Sequence, residues 1–509
     1  MIANALSFRD RCLRSLAIAL IVSVIAPSAY AYPPAYDGVL DPSFGASGAG
    51  FTVIDFGTGS DGHQDGAHRL LRQPDGKFVA VGSVDNGTGH QSIGLTRIFN
   101  NGQIDTSFGD PASPGRFIVP IVPGIDVSGN GIAMKPGGDL VVAFSVPGTT
   151  YGGQLTDYLS DGHTLVWSAP GASGSAYNDV LAFADGRLLV GGAATGINYS
   201  STSDFSLILF DSAGNVIEHL AAPFDVGGSN NDVVQRITFV PAANAATGRL
   251  GYVYAIGSVA LANYASGHAN IECGIVKAGL YSTTPKLRLE PSFGTANSGK
   301  LVLDVNAAWL AGNTYAIDGN AYCRGLSVGK DGGLLIAGER YYFGENNDHA
   351  TADDSFGFAA KLDANGVADL TFHNHNWGSG FAFYGLDGNF NANGYYVGFW
   401  FSLIQGDGMP LLGGLTIPPC GAGSLNRSWI LRTSASGSQD GAYTDWSCNA
   451  PRPAADTGFD VALDGVLDGG RVVTVGNVFS SLNPASATDF VFMRHQSDLI
   501  FTDNFDPGY

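Results

Sequence analysis

The sequence predicts an all-β protein, a seven-bladed β-propeller of four-stranded antiparallel blades closed by an N-terminal strand. Three observations carry that expectation. Charged residues make up only 14% of the 509 residues, with 72 Gly, 30 Phe and 20 Tyr among the rest; about 25% charged is usual. A turn followed by a short apolar run recurs along the chain. Each copy is followed by an alternating strand that ends in a polar turn. Low charge argues against long helices and coiled coils, and 45% hydrophobic content can bury a core that a disordered chain lacks. The glycines show no three-residue period, so collagen is excluded.

The first landmark reads Gln73-Pro-Asp-Gly-Lys-Phe-Val-Ala-Val-Gly82. It returns at Lys135–Ala143, Ala184–Gly192, Thr247–Gly257, Lys330–Gly338, Gly406–Gly413 and Asp468–Gly476. Asp-Gly tolerates the positive φ of a tight hairpin, so each copy reads as strand, turn, strand. The second landmark, Ser92-Ile-Gly-Leu-Thr-Arg-Ile-Phe-Asn-Asn-Gly102, has counterparts beginning at Gly153, Asp204, Cys273, Ser355, Ser428 and Asp489. Between repeats lies a connector: Leu40-Asp-Pro-Ser-Phe-Gly45, Ile104-Asp-Thr-Ser-Phe-Gly109, Leu289-Glu-Pro-Ser-Phe-Gly294, and the degenerate Asp369-Leu-Thr-Phe372.

A mean period of about 65 residues with three or four short strands per unit points to radial repetition of small sheets. The coils of a β-helix are much shorter, and separate sandwich domains would be longer and less evenly spaced. The run Phe51-Thr-Val-Ile-Asp-Phe56 precedes the first hairpin. The last repeat has no strand of its own to complete its blade after Phe490–Arg494. An unpaired edge is a liability, so residues 51–56 are expected to form the outer strand of the last blade and close the ring.

These motifs resemble the delta-60 repeat family of secreted bacterial propeller proteins, whose pattern is L-D-x-S-F-G, an alternating strand, Q-P-D-G-K, then a strand with Arg. Residues 40–103 match nearly throughout, and the resemblance extends over about 39–498. The units around Asp185, Gly248, Asp407 and Asp468 lack a clear Ser-Phe-Gly connector. The resemblance implies a propeller fold and export. It implies no general catalytic activity.

At the N-terminus, Arg9, Arg11 and Arg14 precede an apolar run from Leu16 to Ala26 and the small-residue site Ala29-Tyr30-Ala31. This pattern describes a secretory signal peptide over residues 1–31, cleaved near Ala31. The expected domains are that segment, a single propeller over 32–498, and a short tail over 499–509. The mature form is expected to be secreted or periplasmic, monomeric and not inserted in a membrane. A net charge of −20 disfavours nucleic acid, which needs clustered Lys and Arg. Four cysteines remain after cleavage, and in an oxidising compartment an even number suggests bridges. The expected pairs are Cys273–Cys323 and Cys420–Cys448.

In a propeller whose innermost strand precedes Asp-Gly, the residues opening that strand ring the channel mouth. They are Asp65, Asn130, Asn178, Asp179, Asn231, Asp232, Asn320, Asn393 and Asp460. Converging carboxylates and amides suit a divalent cation such as calcium, or a glycan; the alternative is that each caps its own turn. His373-x-His375 places two rings on one strand face, which suits a transition metal, or else forms a surface turn. Phe381–Tyr384 and Tyr395–Trp400 could stack sugars or pack a core. No G-x-S-x-G, H-E-x-x-H or P-loop is present. The expected function is an exported, non-catalytic binding or surface-interaction module with a protein or glycan ligand. The alternative is an extracellular lyase or hydrolase with a polar, cation-assisted site at the channel mouth.

Overall fold

Each pair of landmarks folds into one blade. The structure, a computed structural model, describes residues 40–496 except 46–47, 58–62, 121–123, 147–151, 172–174, 196–202, 225, 227–231, 266, 268, 311–318, 343–354, 375–379, 385–396, 417–426, 445–458 and 480–485. The proposed signal peptide and tail therefore lie outside the described residues, as do Asn231, Asn393, His375, Cys420 and Cys448. Seven antiparallel sheets follow one another in chain order. Their first strands are Gly66–Arg72, Ser128–Met134, Ala176–Ala182, Val233–Asn244, Gly319–Val328, Val397–Ile404 and Phe459–Asp468. We number the blades 1 to 7 in that order. A hairpin joins each first strand to the second, and Gly76 at the first of these turns has φ 83°, a conformation that costs glycine little.

The ring closes as the sequence predicts. Blade 7 takes its outer strand from Phe51–Ile54, with Phe51 opposite Met493 and Ile54 opposite Phe490. Beside it His63–Gln64 runs parallel to Ser486–His495. Blade 4 carries an extra short strand, Lys300–Leu303, on its third strand, followed by a helix, Val305–Leu310. Among the described residues no helix is long and apolar enough to cross a membrane.

The core lies between the blades. Phe78 and Ala80 of blade 1 pack with Val473, Val475, Phe490 and Phe492 of blade 7. Val79 and Val81, on the other face of the same strand, pack with Leu140 and Val142 of blade 2. A fully buried strand therefore reads as a continuous apolar run with no alternation. The first strands also share a defect: each carries a β-bulge at the same level. In every blade but the second, a glycine of the second strand faces it. A Cβ at Gly82 would lie 1.9 Å from the carbonyl oxygen of Gly66, and one at Gly476 1.8 Å from that of Val461.

The connector couples neighbouring blades. Asp41, Asp105, Glu290 and Asp369 each donate their N–H to the carbonyl of a basic residue on the third strand: Arg494, Arg97, Lys277 and Lys361. Three residues on, Phe44, Phe108, Phe293 and Phe372 are fully buried. The next N–H, of Gly45, Gly109, Gly294 or His373, then donates to a turn of the following blade, at Asn101, Asp161, Asn365 or Ser436. His373 thus occupies the glycine position of the degenerate connector. Blades 4 and 5 are also joined covalently by Cys273–Cys323. Closing a loop of 50 residues is worth about 4 kcal/mol in the chain-entropy picture.

Candidate functional site

The bulges matter because they aim side chains at the axis. The extra residue in each first strand is His68, Asn130, Asn178, Gln235, Arg324, Trp400 or Leu463, and the residue after it is Arg69, Gly131, Asp179, Arg236, Gly325, Phe401 or Asp464. Four of the second set are charged and reach across the channel. Arg236 Nη2 lies 2.8 Å from Asp464 Oδ1, joining blades 4 and 7. Arg69 Nε lies 4.0 Å from Asp179 Oδ1, joining blades 1 and 3. Arg69 Nη2 also donates to the carbonyl of Gln235 at 3.2 Å. The two acids accept backbone N–H groups of other blades: Asp464 from Leu70 and Asp179 from Ile237, both at 2.9 Å.

Burial is the largest influence on Arg69 and Asp179. It draws Arg69 down to about 10, helped by Arg236 and opposed by Asp179. It pushes Asp179 up against the pull of Arg69 and Arg236. With two cations and two anions, the set is neutral as a unit, which is how charges survive out of water. It braces the ring from inside.

The opposite wall of the channel is different. The guanidinium of Arg324 lies 5.3 Å from the ring centre of Trp400 and 5.7 Å from that of Tyr322. Its charge is met by Glu339, whose Oε1 accepts from Nε at 2.8 Å. Tyr341 packs edge-on against Tyr322 at 6.2 Å. Arg324, Trp400, Tyr322 and Tyr341 are all half-buried, as are Arg69 and Arg236, whose partner acids Asp179 and Asp464 are buried. Gly398 makes room for the indole, since a Cβ there would lie 2.8 Å from it. Of the two aromatic tracts, Phe381–Tyr384 is buried, and Phe399 is buried beside the half-open Trp400.

The ring of polar residues expected at the mouth occupies two levels. Asp65, Asp232, Asn320 and Asp460 stand at the mouth and accept backbone N–H groups of the preceding blade. Asp65 takes Phe56 at 3.2 Å, Asp232 takes Phe224 at 3.1 Å, Asn320 takes Ile271 at 2.9 Å and Asp460 takes Ser428 at 2.8 Å. Asn130, Asn178 and Asp179 lie deeper, at the bulges. The two amides donate to the carbonyls of Tyr177 and Val234 at 3.0 and 2.7 Å. Sequence reasoning missed Arg69, Arg236, Arg324 and Asp464. The signal that locates them is the glycine facing the bulge in each of their blades, Gly82, Gly257, Gly338 or Gly476, from which the strand register can be counted back.

A hard cation would find three carboxylates at the closing seam. Oxygens of Asp55, Asp65 and Asp489 lie within 4.8 Å of one another. Burial, with some help from Asp489 and Asp55, pushes Asp65 up to about 6. One serine meets a histidine in the channel: Ser128 Oγ is 2.8 Å from His68 Nδ1. Burial and the neighbouring Arg69 pull His68 down to about 4, far from the range of an effective general base.

Residues 73–108 match the family described as "Domain of unknown function (DUF5122) beta-propeller". The chain is a β-propeller protein. No curated protein matches it in sequence. Among solved structures it is similar to the polysaccharide lyase Uly1, at 10% identity over 92% of this chain and 93% of that one, with a TM-score of 0.43. It is similar to the extracellular domains 1-2 of Drosophila Semaphorin 1a, at 10% identity over 87% and 88%, with a TM-score of 0.41. It is also similar to the quinohemoprotein alcohol dehydrogenase ADHIIG of Pseudomonas putida HK5, at 11% identity and a TM-score of 0.38. There it covers 83% of this chain and 66% of the dehydrogenase.

Proposed function

We propose that this protein is an exported, non-catalytic binding module that takes a glycan inside the channel, at the level of the bulges, against the wall formed by Trp400, Arg324 and Tyr322. The supporting observation is the half-open indole, phenol and guanidinium on one side of a channel whose other side is braced by ion pairs between blades. Aromatic faces stack on the C–H face of a sugar ring, and a guanidinium already neutralised by Glu339 offers donors to neutral hydroxyls. Export rests on the signal-peptide pattern and fits the Cys273–Cys323 bridge. The mature form is taken to be a monomer.

The test is a glycan array followed by titration calorimetry. Trp400→Ala should weaken binding at least tenfold while leaving the melting temperature within a few degrees. An unchanged affinity would move the site elsewhere. The second reading, a lyase or hydrolase, draws on the carboxylates of Asp55, Asp65 and Asp489 with a bound divalent cation. Turnover of a bound glycan, abolished by chelator and restored by calcium, would replace the binding reading with that one.

A further inference from the structure

Blade 4 is built longer than the others. Past the extra residue of its bulge, the first strand runs nine residues, from Gln235 to Asn244; in blades 1, 2, 3, 5 and 6 it runs four, and in blade 7 five. The second and third strands, Arg249–Leu261 and Asn270–Tyr281, match that length. The sheet therefore projects about 15 Å beyond its neighbours, on the face opposite the channel mouth. On the flank turned to blade 5 it is covered as far as Lys277, which donates to the carbonyl of Ala364 at 2.7 Å. Beyond that point Tyr252, Tyr281, Arg249 and Arg288 are half-buried.

This arm is also where the charge changes sign. Residues 233–303 hold six Lys and Arg against two Glu, in a chain of net charge −20. Outside blade 4, eleven described Lys and Arg side chains have a carboxylate within 4.0 Å. Among the described residues of blade 4 only Arg236 does. Glu272 is buried and accepts the N–H groups of Val305 and Asn306, and Glu290 accepts from Ser292. Arg249 and Arg288 are held by neutral groups. The guanidinium of Arg249 lies 4.3 Å from the ring centre of Tyr252, and its Nε donates to the carbonyl of Ala242 at 3.3 Å. That of Arg288 lies 4.3 Å from the ring centre of Tyr281, and its Nε donates to the carbonyl of Pro285 at 2.9 Å. Gly279 leaves room for the Tyr281 ring, since a Cβ there would lie 2.6 Å from it. The terminal N–H groups of both guanidiniums have no acceptor among the described residues.

A guanidinium fixed in this way presents a planar fork to an oxyanion. Arg249 stands opposite Tyr281 and Arg288 opposite Gly279, on the two sides of one strand, which sets them about 12 Å apart. One carboxylate cannot span that distance. An anion repeated along a chain meets both forks, and the second contact is then intramolecular. A flat anionic membrane would meet the tip, residues 242–248, which carries no charge; cations on the flank suit a strand laid along the sheet. We propose that the projecting flank of blade 4 binds an acidic polysaccharide whose carboxylate or sulfate groups pair with Arg249 and Arg288. This site does not depend on the reading of the channel.

The experiment is titration calorimetry of the full chain against heparin, polygalacturonate and, as a neutral control, dextran, in about 0.1 M NaCl. At that ionic strength charges more than about 10 Å away are screened, so the acidic remainder of the surface does not mask the arm. Heparin or polygalacturonate should bind and dextran should not. Raising the salt to about 0.5 M should weaken binding at least tenfold. Arg249→Ala with Arg288→Ala should weaken it at least tenfold at an unchanged melting temperature. Arg249→Lys with Arg288→Lys keeps the charge without the fork and should recover only part of the affinity. Arg187→Ala with Lys330→Ala removes the same charge from the hairpins of blades 3 and 5 and should leave binding as in the wild type. Trp400→Ala should do the same, which separates this site from the channel. The proposal is overturned if neither polyanion binds, or if the control pair weakens binding as much as the arm pair. Without polysaccharide binding, attachment to phosphatidylglycerol vesicles that the arm variant loses would give the surface to a membrane, and a dimer that it loses would give it to a second copy; either result overturns the proposal.

Discussion

The junction between blades 1 and 2 and that between blades 2 and 3 solve one packing problem in two ways. At the first, the connector supplies Phe108, which sits on the turn glycine of the next blade; a Cβ at Gly162 would lie 2.0 Å from its ring. Arg97 stacks over that ring at 4.6 Å and donates to the carbonyl of Ser160 at 2.8 Å. At the second, no connector exists. Trp167 of the outer strand takes the phenylalanine's place, 2.7 Å from a Cβ at Gly214. Lys135 takes the arginine's place and donates to the carbonyl of Ser212 at 3.2 Å. Gly162 and Gly214 both hold positive φ, 78° and 84°. The repeat therefore specifies a docking geometry, an aromatic ring on a turn glycine beside a cation on a turn carbonyl. Either the connector or the outer strand can supply it.

The seam between blades 7 and 1 is the strongest case of the connector type, and breaking it should have the largest effect. There Asp41 pairs with Arg494 at 2.9 Å, Phe44 is fully buried, and Phe51–Ile54 completes the last sheet. Deleting residues 39–57 should lower the melting temperature of the whole propeller by about 10 °C or more, given 2–4 °C per kcal/mol for a large domain. It should also remove the single cooperative transition, because blade 7 would lose both its outer strand and its neighbour. Calorimetry showing an unchanged single peak would mean that the inner ion pairs alone hold the ring shut.

A smaller effect ranks the two modes directly. Phe108→Ala empties a site that is 1% exposed and should cost about 3–5 kcal/mol. Trp167 is only half-buried, so Trp167→Ala should cost less, about 1–3 kcal/mol. Urea unfolding of both variants measures the ranking. Equal costs would show that the outer-strand solution is as tight as the connector, and that the eroded repeats have lost sequence without losing stability.

How much of this was legible follows from distance along the chain. The hairpins, the seven blades and the closing strand are written locally, in Asp-Gly turns and in an edge at 490–494 that lacked a partner. The Cys273–Cys323 bridge was legible for the same reason, since it spans neighbouring repeats. The channel was not. Arg69, Asp179, Arg236 and Asp464 come from four blades, and each alone reads as an ordinary polar strand residue; only the ring makes them a neutral set. The mouth residues were found by position, but Asp65, Asp232, Asn320 and Asp460 bond to the preceding blade, a choice no local turn rule contains. Trp400 and Phe399 are adjacent in an aromatic tract, and the bulge between them and Phe401 decides which ring reaches the channel.

The smallest effect is electrostatic and distinguishes the two junctions by sign. Asp105 and Asp157 are both buried carboxylates next to a cation. Burial alone would raise both. At Asp105 it is outweighed by the hydroxyl and N–H of Ser107 together with Lys77 and Arg97, and the group is held at about 2. At Asp157 burial prevails over the single Lys135, and the group is pushed up. A carboxylate lowered below its unfolded value stabilises the fold above that value, and this contribution is lost as pH falls toward the folded one. A raised carboxylate acts in reverse: its contribution is full below the unfolded value, near 4, and is lost as pH rises through the folded one. Asp105→Asn should therefore lose stability relative to wild type as pH rises from about 2 to 4 and stay destabilised at pH 7. Asp157→Asn should gain relative to wild type as pH rises above about 4. Urea unfolding of the wild type and both variants at pH steps between 2 and 8 measures the two slopes. Slopes of the same sign would mean that Lys135 neutralises its carboxylate as fully as the connector does, and the electrostatic difference between the junctions would vanish.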